Sequence, residues 1–503
     1  MKYYLILDVG TTNIKAHAYS DKGKLLQSLE KKSKPKYPEP GWVEQEPDFI
    51  VDTIKKLIDK VIDKNGKPLG ISLTNQRSTT IIWDKKTGEP LYNMITWQDT
   101  RTIDLIQNLS KNFLVRFGNK LGKTTKAFSK IIPQLKKTKK GAYLITLANI
   151  GFGTAHSSMH LRWMIENVSE VKKAIKNKNA CFGNIDSWVA YNLTGKHVTD
   201  YTNASATGMF DPFYAKWSEN ILKIVEIPTH ILPSFVNNDT KIGTIKKHNV
   251  PFLTLIADQQ ASMYMAGVKP GNVSVTSGTG AFINLNVGNN PSPGDTGIYP
   301  MIALSTKKQK LFMLEGAVNS LGSAIDWLIE VGFVKNYKEI SKAFENSKKD
   351  TNILFMPALS GLNSPYLRPD IKAQIKNITV DSNREDFTKA LIKGISMRIT
   401  GVVNALEKVS NTKVGTITAD GGASQLDSYL QLISDLSEKT IIRPKNLNGS
   451  AYGTFMLSKA IKEKKDVIAA WNNPKIEKTF KPEKKHDKFK IDWEKNMERL
   501  LQR

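Results

Sequence analysis

A single cysteine, Cys181, in 503 residues excludes an intrachain disulfide and a four-cysteine zinc site, so nothing here requires an oxidising compartment. Long apolar runs are equally scarce. No stretch approaches the roughly 20 consecutive apolar residues of a membrane helix; the best candidate, residues 142–152, is a short patch. Residues 1–10 reach Asp8 after a run too brief for a secretory leader and show no cleavage site. These absences set the expectation of a cytoplasmic protein with no membrane partner. Low-complexity tracts are missing too. With 40% apolar, 24% charged and 9% aromatic residues, the chain has the composition of a folded globular protein.

Acidic residues are in short supply, 47 against 73 basic ones, for a net charge of +26. The excess is mostly lysine, densest at Lys120, Lys123, Lys126, Lys130, Lys136, Lys137, Lys139 and Lys140, where no acid intervenes. Such a balance attracts polyanions. Neither a zinc-finger spacing nor an RNP-type aromatic segment accompanies it, so no specific nucleic-acid partner is expected.

What is present is an alternation of strand and helix patterns. At roughly 150 residues per domain the length suits two to four domains. An apolar run from Tyr3 to Leu7 ends in Asp8-Val9-Gly10-Thr11-Thr12-Asn13 and resumes at 14–19, which reads as a β-hairpin. Much later, 272–276 and 281–287 flank Ser277-Gly278-Thr279-Gly280 in the same way, a second hairpin of the same design. Between them, 48–63 has helical apolar spacing, and 69–73, 80–83 and 250–256 read as buried strands. A helix is expected to begin near Ala261. The pattern predicts a duplicated α/β fold divided near 247/248: an N-terminal domain 1–247, a C-terminal domain 248–470, and a basic, peripheral helical appendage 471–503.

Three glycine-containing turns carry the chemistry. Asp8 closes a strand before a turn whose NH groups and hydroxyls suit phosphate oxygens, and a carboxylate there suits water-mediated Mg²⁺. Thr276-Ser277-Gly278-Thr279-Gly280 is a second phosphate-sized turn. Asp420-Gly421-Gly422-Ala423-Ser424 is a third, where close backbone approach admits a ribose or base. Asp258, after an apolar strand and before a helix, stands where α/β enzymes place catalytic groups; it also suits a helix N-cap. His156 and His160 lie four apart without a third ligand nearby, so they are not read as a metal site. Trp42, Trp83 and Trp163 read as core; Trp97 reads as a pocket wall.

Asp8 to Thr12, Pro40-Gly41-Trp42-Val43-Glu44-Gln45, Thr74-Asn75-Gln76-Arg77, Thr96-Trp97-Gln98, Thr199-Asp200-Tyr201-Thr202-Asn203-Ala204-Ser205, Asp258-Gln259-Gln260, Ser277-Gly278-Thr279-Gly280, Ser360-Gly361-Leu362 with Pro365-Tyr366, and Asp420-Gly421-Gly422-Ala423 fall in one order. Together they make the chain resemble the FGGY carbohydrate kinase family, nearest its glycerol kinase branch, from Tyr4 to about Trp471. The resemblance implies two ribonuclease-H-like domains of the actin and hexokinase type, closing over ATP, Mg²⁺ and a small polyol or sugar. It implies Asp258 as general base. Arg77, Ser78, Trp97, Gln259 and Phe282 would join Asp258 around the acceptor. Asp8 would serve the metal, and Thr11, Thr12, Asn13, Lys15 and Thr279 the phosphates. Gly322, Asp326, Gly422 and Leu426 would lie on the nucleotide side. A homodimer or homotetramer is compatible with it.

Departures bear on the acceptor. Ser78 stands where glycerol kinases carry a glutamate, and Ala155 where they carry a pocket tyrosine; both enlarge the pocket and weaken its hold on a three-carbon polyol. Trp97-Gln98-Asp99-Thr100-Arg101 and Ala206-Thr207-Gly208 have pentulose-kinase-like form. Lys15 replaces arginine, keeping charge without the bidentate fork. Leu426 and Asp326 replace an asparagine and a glutamine near the base. Residues 119–150, with the lysine cluster, look inserted. The expected reaction is phosphorylation of glycerol or a longer polyol or ketose. A catalytically silent actin-like nucleotide-binding protein is the rival, and Asp258 argues against it.

Overall fold

The computed structural model describes residues 2–149, 151–347 and 351–502. Met1, Ile150 and Arg503, which end segments singled out above, lie outside the described residues. Two large mixed sheets dominate. The first contains β1 (Tyr3–Val9), β2 (Asn13–Ser20), β3 (Leu25–Lys32), β4 (Ile71–Asn75), β5 (Gly243–Ile245) and β6 (Val250–Ala257), in the order β5-β6-β4-β1-β2-β3. β1 to β3 are antiparallel neighbours, while β4 runs parallel to β1, and β6 parallel to β4.

The second sheet contains β7 (Val273–Ser277), β8 (Ala281–Gly288), β9 (Tyr299–Ser305), β10 (Lys310–Val318), β11 (Thr416–Asp420), β12 (Thr440–Pro444) and β13 (Ile476–Phe480), in the order β9-β10-β8-β7-β11-β12-β13. Stripped of β5, β9 and β13, both sheets read third, second, first, fourth, fifth strand. That shared order is the duplicated ribonuclease-H-like plan.

Each sheet is apolar on both faces because each is covered twice. The helix Pro47–Asn65 lays Ile50, Ile54, Leu57, Ile58 and Val61 on one face of the first sheet. The other face takes Ala451 and Phe455 of the helix Gly449–Lys462 against Tyr4, Ile6, Tyr19 and Leu253. The 27-residue helix Arg384–Ser410, opened by a capping box between Asn383 and Asp386, covers one face of the second sheet together with the helix Asp427–Ser437, and the helix Asp258–Ala266 packs Met263 on the other, against Met301, Ala303, Leu311 and Met313.

Two expectations need correction. The division at 247/248 falls between β5 and β6, inside the first sheet: Leu255 and Ile256 pair with Leu73 and Thr74. Residues 246–249 form the hairpin turn between the two strands, with Asn249 left-handed at φ 51. The chain passes between the sheets through the helix Asp258–Ala266, which begins three residues before the expected Ala261. Nor is the C-terminal stretch a peripheral appendage. β13 extends the second sheet through Phe480, opposite Ile441, and the helix Asp487–Leu501 buries Trp493, Met497 and Leu500 against Met356, Ala358 and Leu362.

Replacing Trp493 with alanine removes a large buried side chain, and we expect a loss of about 3–5 kcal/mol of stability, read from the midpoint shift in chemical denaturation. A change below about 1 kcal/mol, typical of surface positions, would return this helix to the surface.

Candidate active site

The site is assembled by strand order. Because β4 lies between β1 and β6 and runs parallel to both, the ends of all three open at one edge. Side chains from those ends therefore converge, as in other open α/β sheets. Asp8 lies near the end of β1, Arg77 two residues past β4, and Asp258 directly after β6.

Arg77 reaches across to the second sheet. Its Nη1 lies 2.8 Å from Glu315 Oε2 on β10 and its Nη2 donates to Glu315 Oε1 at 3.1 Å. Its Nε is 3.7 Å from Asp258 Oδ1, and the guanidinium stands 5.5 Å from the Phe282 ring centroid on β8. One cation thus faces two carboxylates. Burial pushes the Asp258 carboxyl up to about 6; Arg77 and the Gln259 amide oppose that shift, while Asp8 and Glu315 add to it. As the first residue of its helix, Asp258 accepts from its own neighbour, the Gln259 amide, at 2.7 Å.

The first turn is tied down from below. Asp8 sits opposite Lys15 in the β1–β2 register, and burial raises its carboxyl pKa against the pull of Lys15. The Thr11 hydroxyl donates to Gln76 Oε1 at 2.5 Å and accepts from Trp97 Nε1 at 3.0 Å, so Trp97 stands beside the first turn. Thr12 is exposed, Asn13 is half-buried and starts β2, and the Asn13 carbonyl accepts from the Gly10 amide. In the second turn Thr279 is exposed and its carbonyl receives the Leu321 and Ser323 amides. A Cβ on Gly322 would lie 2.5 Å from the Gly278 carbonyl oxygen, so this turn can rest on the start of the helix Gly322–Glu330 only through glycine.

The helix Gly449–Lys462 joins the two halves. Ser450 Oγ donates to Asp8 Oδ2 at 3.1 Å, and a Cβ on Gly449 would fall 1.6 Å from Asp420 Oδ2 at the end of β11. Its positive N-terminal end therefore lies between a strand-end carboxylate of each sheet. Burial raises Asp420 to about 6, and Asp258 adds to the shift.

The remaining expected residues divide. Ser78, left-handed at φ 63, donates its hydroxyl to the Ala206 carbonyl at 2.9 Å, and its own carbonyl takes the Ser157 hydroxyl, so Ser78, Ser157 and Ala206 meet beside Arg77. Gln259 is buried with its Oε1 towards Asn284. Gly422 is exposed, with no protein atom near a Cβ placed on it. Asp326 is exposed and accepts from the Tyr337 hydroxyl at 2.9 Å. Leu426 is buried, in the core of the second sheet.

Trp97-Gln98-Asp99-Thr100-Arg101 is also not wholly an acceptor motif. The Arg101 side chain is buried, 2.8 Å from Asp99 and 2.9 Å from Glu44, and lies 3.8 Å and 4.7 Å from the Trp42 and Trp163 ring centroids. Those tryptophans clasp an arginine, whereas Trp83 is fully buried. Burial lowers His156 and His160 to about 4, leaving them neutral near pH 7.

Sequence reasoning missed Glu315. Its one signal is a lone acid closing the apolar run 311–314. It also passed over the role of Asp200, which accepts from Thr202, Asn203 and Asn238. Through Asn203–Asn75 at 2.9 Å and the Ala257 amide on Thr202 Oγ1, this buried network fixes the ends of β4 and β6.

Comparison with known proteins assigns the class. Residues 3–129 and 124–263 match the model of the FGGY family of carbohydrate kinases, N-terminal domain, and residues 273–459 match the C-terminal domain. The chain belongs to the FGGY family of carbohydrate kinases and is a phosphotransferase with an alcohol group as acceptor. It is 35% identical over 455 residues to an uncharacterized sugar kinase of Archaeoglobus fulgidus, covering 90% of each chain. It is 30% identical over 520 residues to glycerol kinase 5 of Bos taurus, covering 99% of this chain and 96% of that one. The crystal structure of Plasmodium falciparum glycerol kinase with ADP superposes with a TM-score of 0.87 at 27% identity, over 100% of this chain and 98% of the other.

The raised Asp258 carboxyl makes stability depend on pH. A carboxyl raised to about 6 in the fold favours folding below its unfolded value, and that contribution disappears as pH rises through the folded one. Asp258→Asn should therefore be more stable than the parent at neutral pH, by on the order of 1–3 kcal/mol, with the difference vanishing below about pH 4. Denaturation midpoints at several pH values check the sign; a variant less stable at neutral pH would contradict the raised carboxyl.

Proposed function

We propose that this kinase transfers the γ-phosphoryl group of ATP to a hydroxyl of a small polyol, glycerol first, with Asp258 as general base. The observation that carries this reading is the Asp258 carboxyl itself, raised by burial yet held within reach of Arg77 at the mouth of the parallel strands. A group ionising near 6 is mostly deprotonated at neutral pH and still basic enough to accept a proton. Asp258 takes the proton of the acceptor hydroxyl as that oxygen bonds to the γ-phosphorus. The bond from phosphorus to the bridging oxygen breaks, and ADP leaves. Such transfer asks the protein chiefly for positioning and charge neutralisation.

Arg77, Trp97, Gln259, Phe282 and Ser78 are assigned to the acceptor side. Thr11, Thr12, Asn13, Lys15 and Thr279 are assigned to the phosphates, and Gly322, Gly422 and Asp326 to the nucleotide. Asp8 fits a magnesium role, since it is a carboxylate raised by burial beside other carboxylates, which a cation would relieve. Mg²⁺ there needs only one or two carboxylates plus phosphates and water, and bound with ATP it would neutralise phosphate charge. Among the described residues there is no cluster of three or more His, Cys, Asp or Glu side chains fit to hold a metal alone.

A longer polyol or a ketose is the second reading, favoured by one feature: Ser78 spends its hydroxyl on Ala206 and contributes no carboxylate to the pocket.

A coupled ADP-release assay across glycerol, erythritol, xylulose, ribulose, arabinitol and gluconate tests the substrate. We expect turnover with at least one polyol and none above background for Asp258→Asn; near-parental turnover by that variant would remove Asp258 from its role. Ser78→Glu should raise kcat/KM for glycerol relative to longer acceptors by about tenfold, the scale of one charge-assisted hydrogen bond, and an unchanged ratio would move the pocket elsewhere. The acid limb of kcat/KM should fall through about pH 6. Glu315→Gln should move that limb to lower pH, because it removes a carboxylate that raises Asp258 and releases Arg77 to it.

A further inference from the structure

We infer that the outward face of the helix Phe113–Ile131 is a docking surface for an anionic lipid bilayer. This helix packs with its small residues inward. Val115, Gly122 and Ser129 are buried, and a Cβ on Gly122 would lie 2.0 Å from the Ala148 nitrogen, so a backbone segment seats directly on that face. The large apolar side chains point outward: Phe113 is 75% exposed, Phe117 56%, Leu121 39%, Phe128 54% and Ile131 78%. At about 100° per residue they fall in one arc of about 80°, and Arg116, Lys120, Lys123 and Lys130 fill the arc beside it.

Charge selects the occupant. No Asp or Glu occurs from 105 to 165, a span holding eleven Lys or Arg residues. Among the described residues, Lys126 is the one lysine of this helix that forms an ion pair, with Asp295 at 2.6 Å. A second copy meeting this surface with its own would set lysine against lysine, and a neutral apolar partner would leave the cations unanswered. An anionic leaflet answers both arcs, with phenyl and aliphatic groups at the acyl boundary and ammonium groups among the headgroups. Each basic residue near such a leaflet adds about fivefold to binding. The contact is peripheral, since no helix among the described residues is long and apolar enough to cross a membrane.

Flotation of the full chain with vesicles of phosphatidylcholine alone, or of phosphatidylcholine mixed with phosphatidylserine, tests this. We expect binding to the serine-containing vesicles at least about tenfold stronger than to the neutral ones. Phe117→Ser/Leu121→Ser/Phe128→Ser and, separately, Lys120→Glu/Lys123→Glu/Lys130→Glu should each lose it, with kinase turnover unchanged. As a measurement independent of loss variants, Phe117→Cys can be labelled with an environment-sensitive fluorophore, the native Cys181 being buried; its emission should rise on the anionic vesicles. Absence of vesicle binding by the parent chain overturns the proposal, whether the face then proves to hold a second copy or an acidic protein. Full retention by the apolar triple variant also overturns it, by assigning the attraction to net charge alone, as does an unchanged emission on bound vesicles.

Discussion

Arg77 is the cation on which the cleft depends. Two carboxylates from different elements, Asp258 at the end of β6 and Glu315 on β10, lie around it, and Asp8 and Asp420 add their fields nearby. Several acids in one low-dielectric place repel one another and resist ionisation. A guanidinium, charged at any working pH and able to donate in several directions, lets Glu315 and Asp258 share the space. It also connects the two sheets, because its own backbone follows β4 and its strongest partner belongs to β10. Removing the Arg77 guanidinium would leave Glu315 and Asp258 uncompensated.

The consequence for chemistry is a base whose strength is set by opposing neighbours rather than by intrinsic acidity. Burial raises Asp258, Arg77 restrains it, and the remaining acids push it further. The helix Gly449–Lys462 contributes to the same balance from the far end of the chain, placing its N-terminal dipole between Asp8 and Asp420. Nothing local in the sequence near Asp8 announces Ser450 as its partner.

The hairpins around Gly10 and Gly278 were legible because strand alternation and small turn residues are local signals. So was the helix 47–65, from its apolar spacing. The strand ends carrying Asp8 and Asp258 were legible for the same reason, and motif order supplied Arg77 as their companion. The boundary at 247/248 misled because a polar turn inside a sheet and a polar linker between domains have the same composition; pairing partners tell them apart, and pairing is not local. Residues 471–503 misled likewise, since a charged edge strand such as β13 looks like solvated chain until a sheet accepts it.

By itself the sequence determined the class of fold, the two turn-bearing hairpins and the acids at their mouths, because short-range periodicity and steric demands on glycine act within a few residues. Only the tertiary structure decided that Glu315 holds Arg77, that Arg101 is clasped by two tryptophans, and that the helix Phe113–Ile131 turns its phenylalanines outward. Each of these depends on which surfaces meet across long sequence separations. The free energy of such a contact belongs to the pair, and neither partner's local sequence contains it.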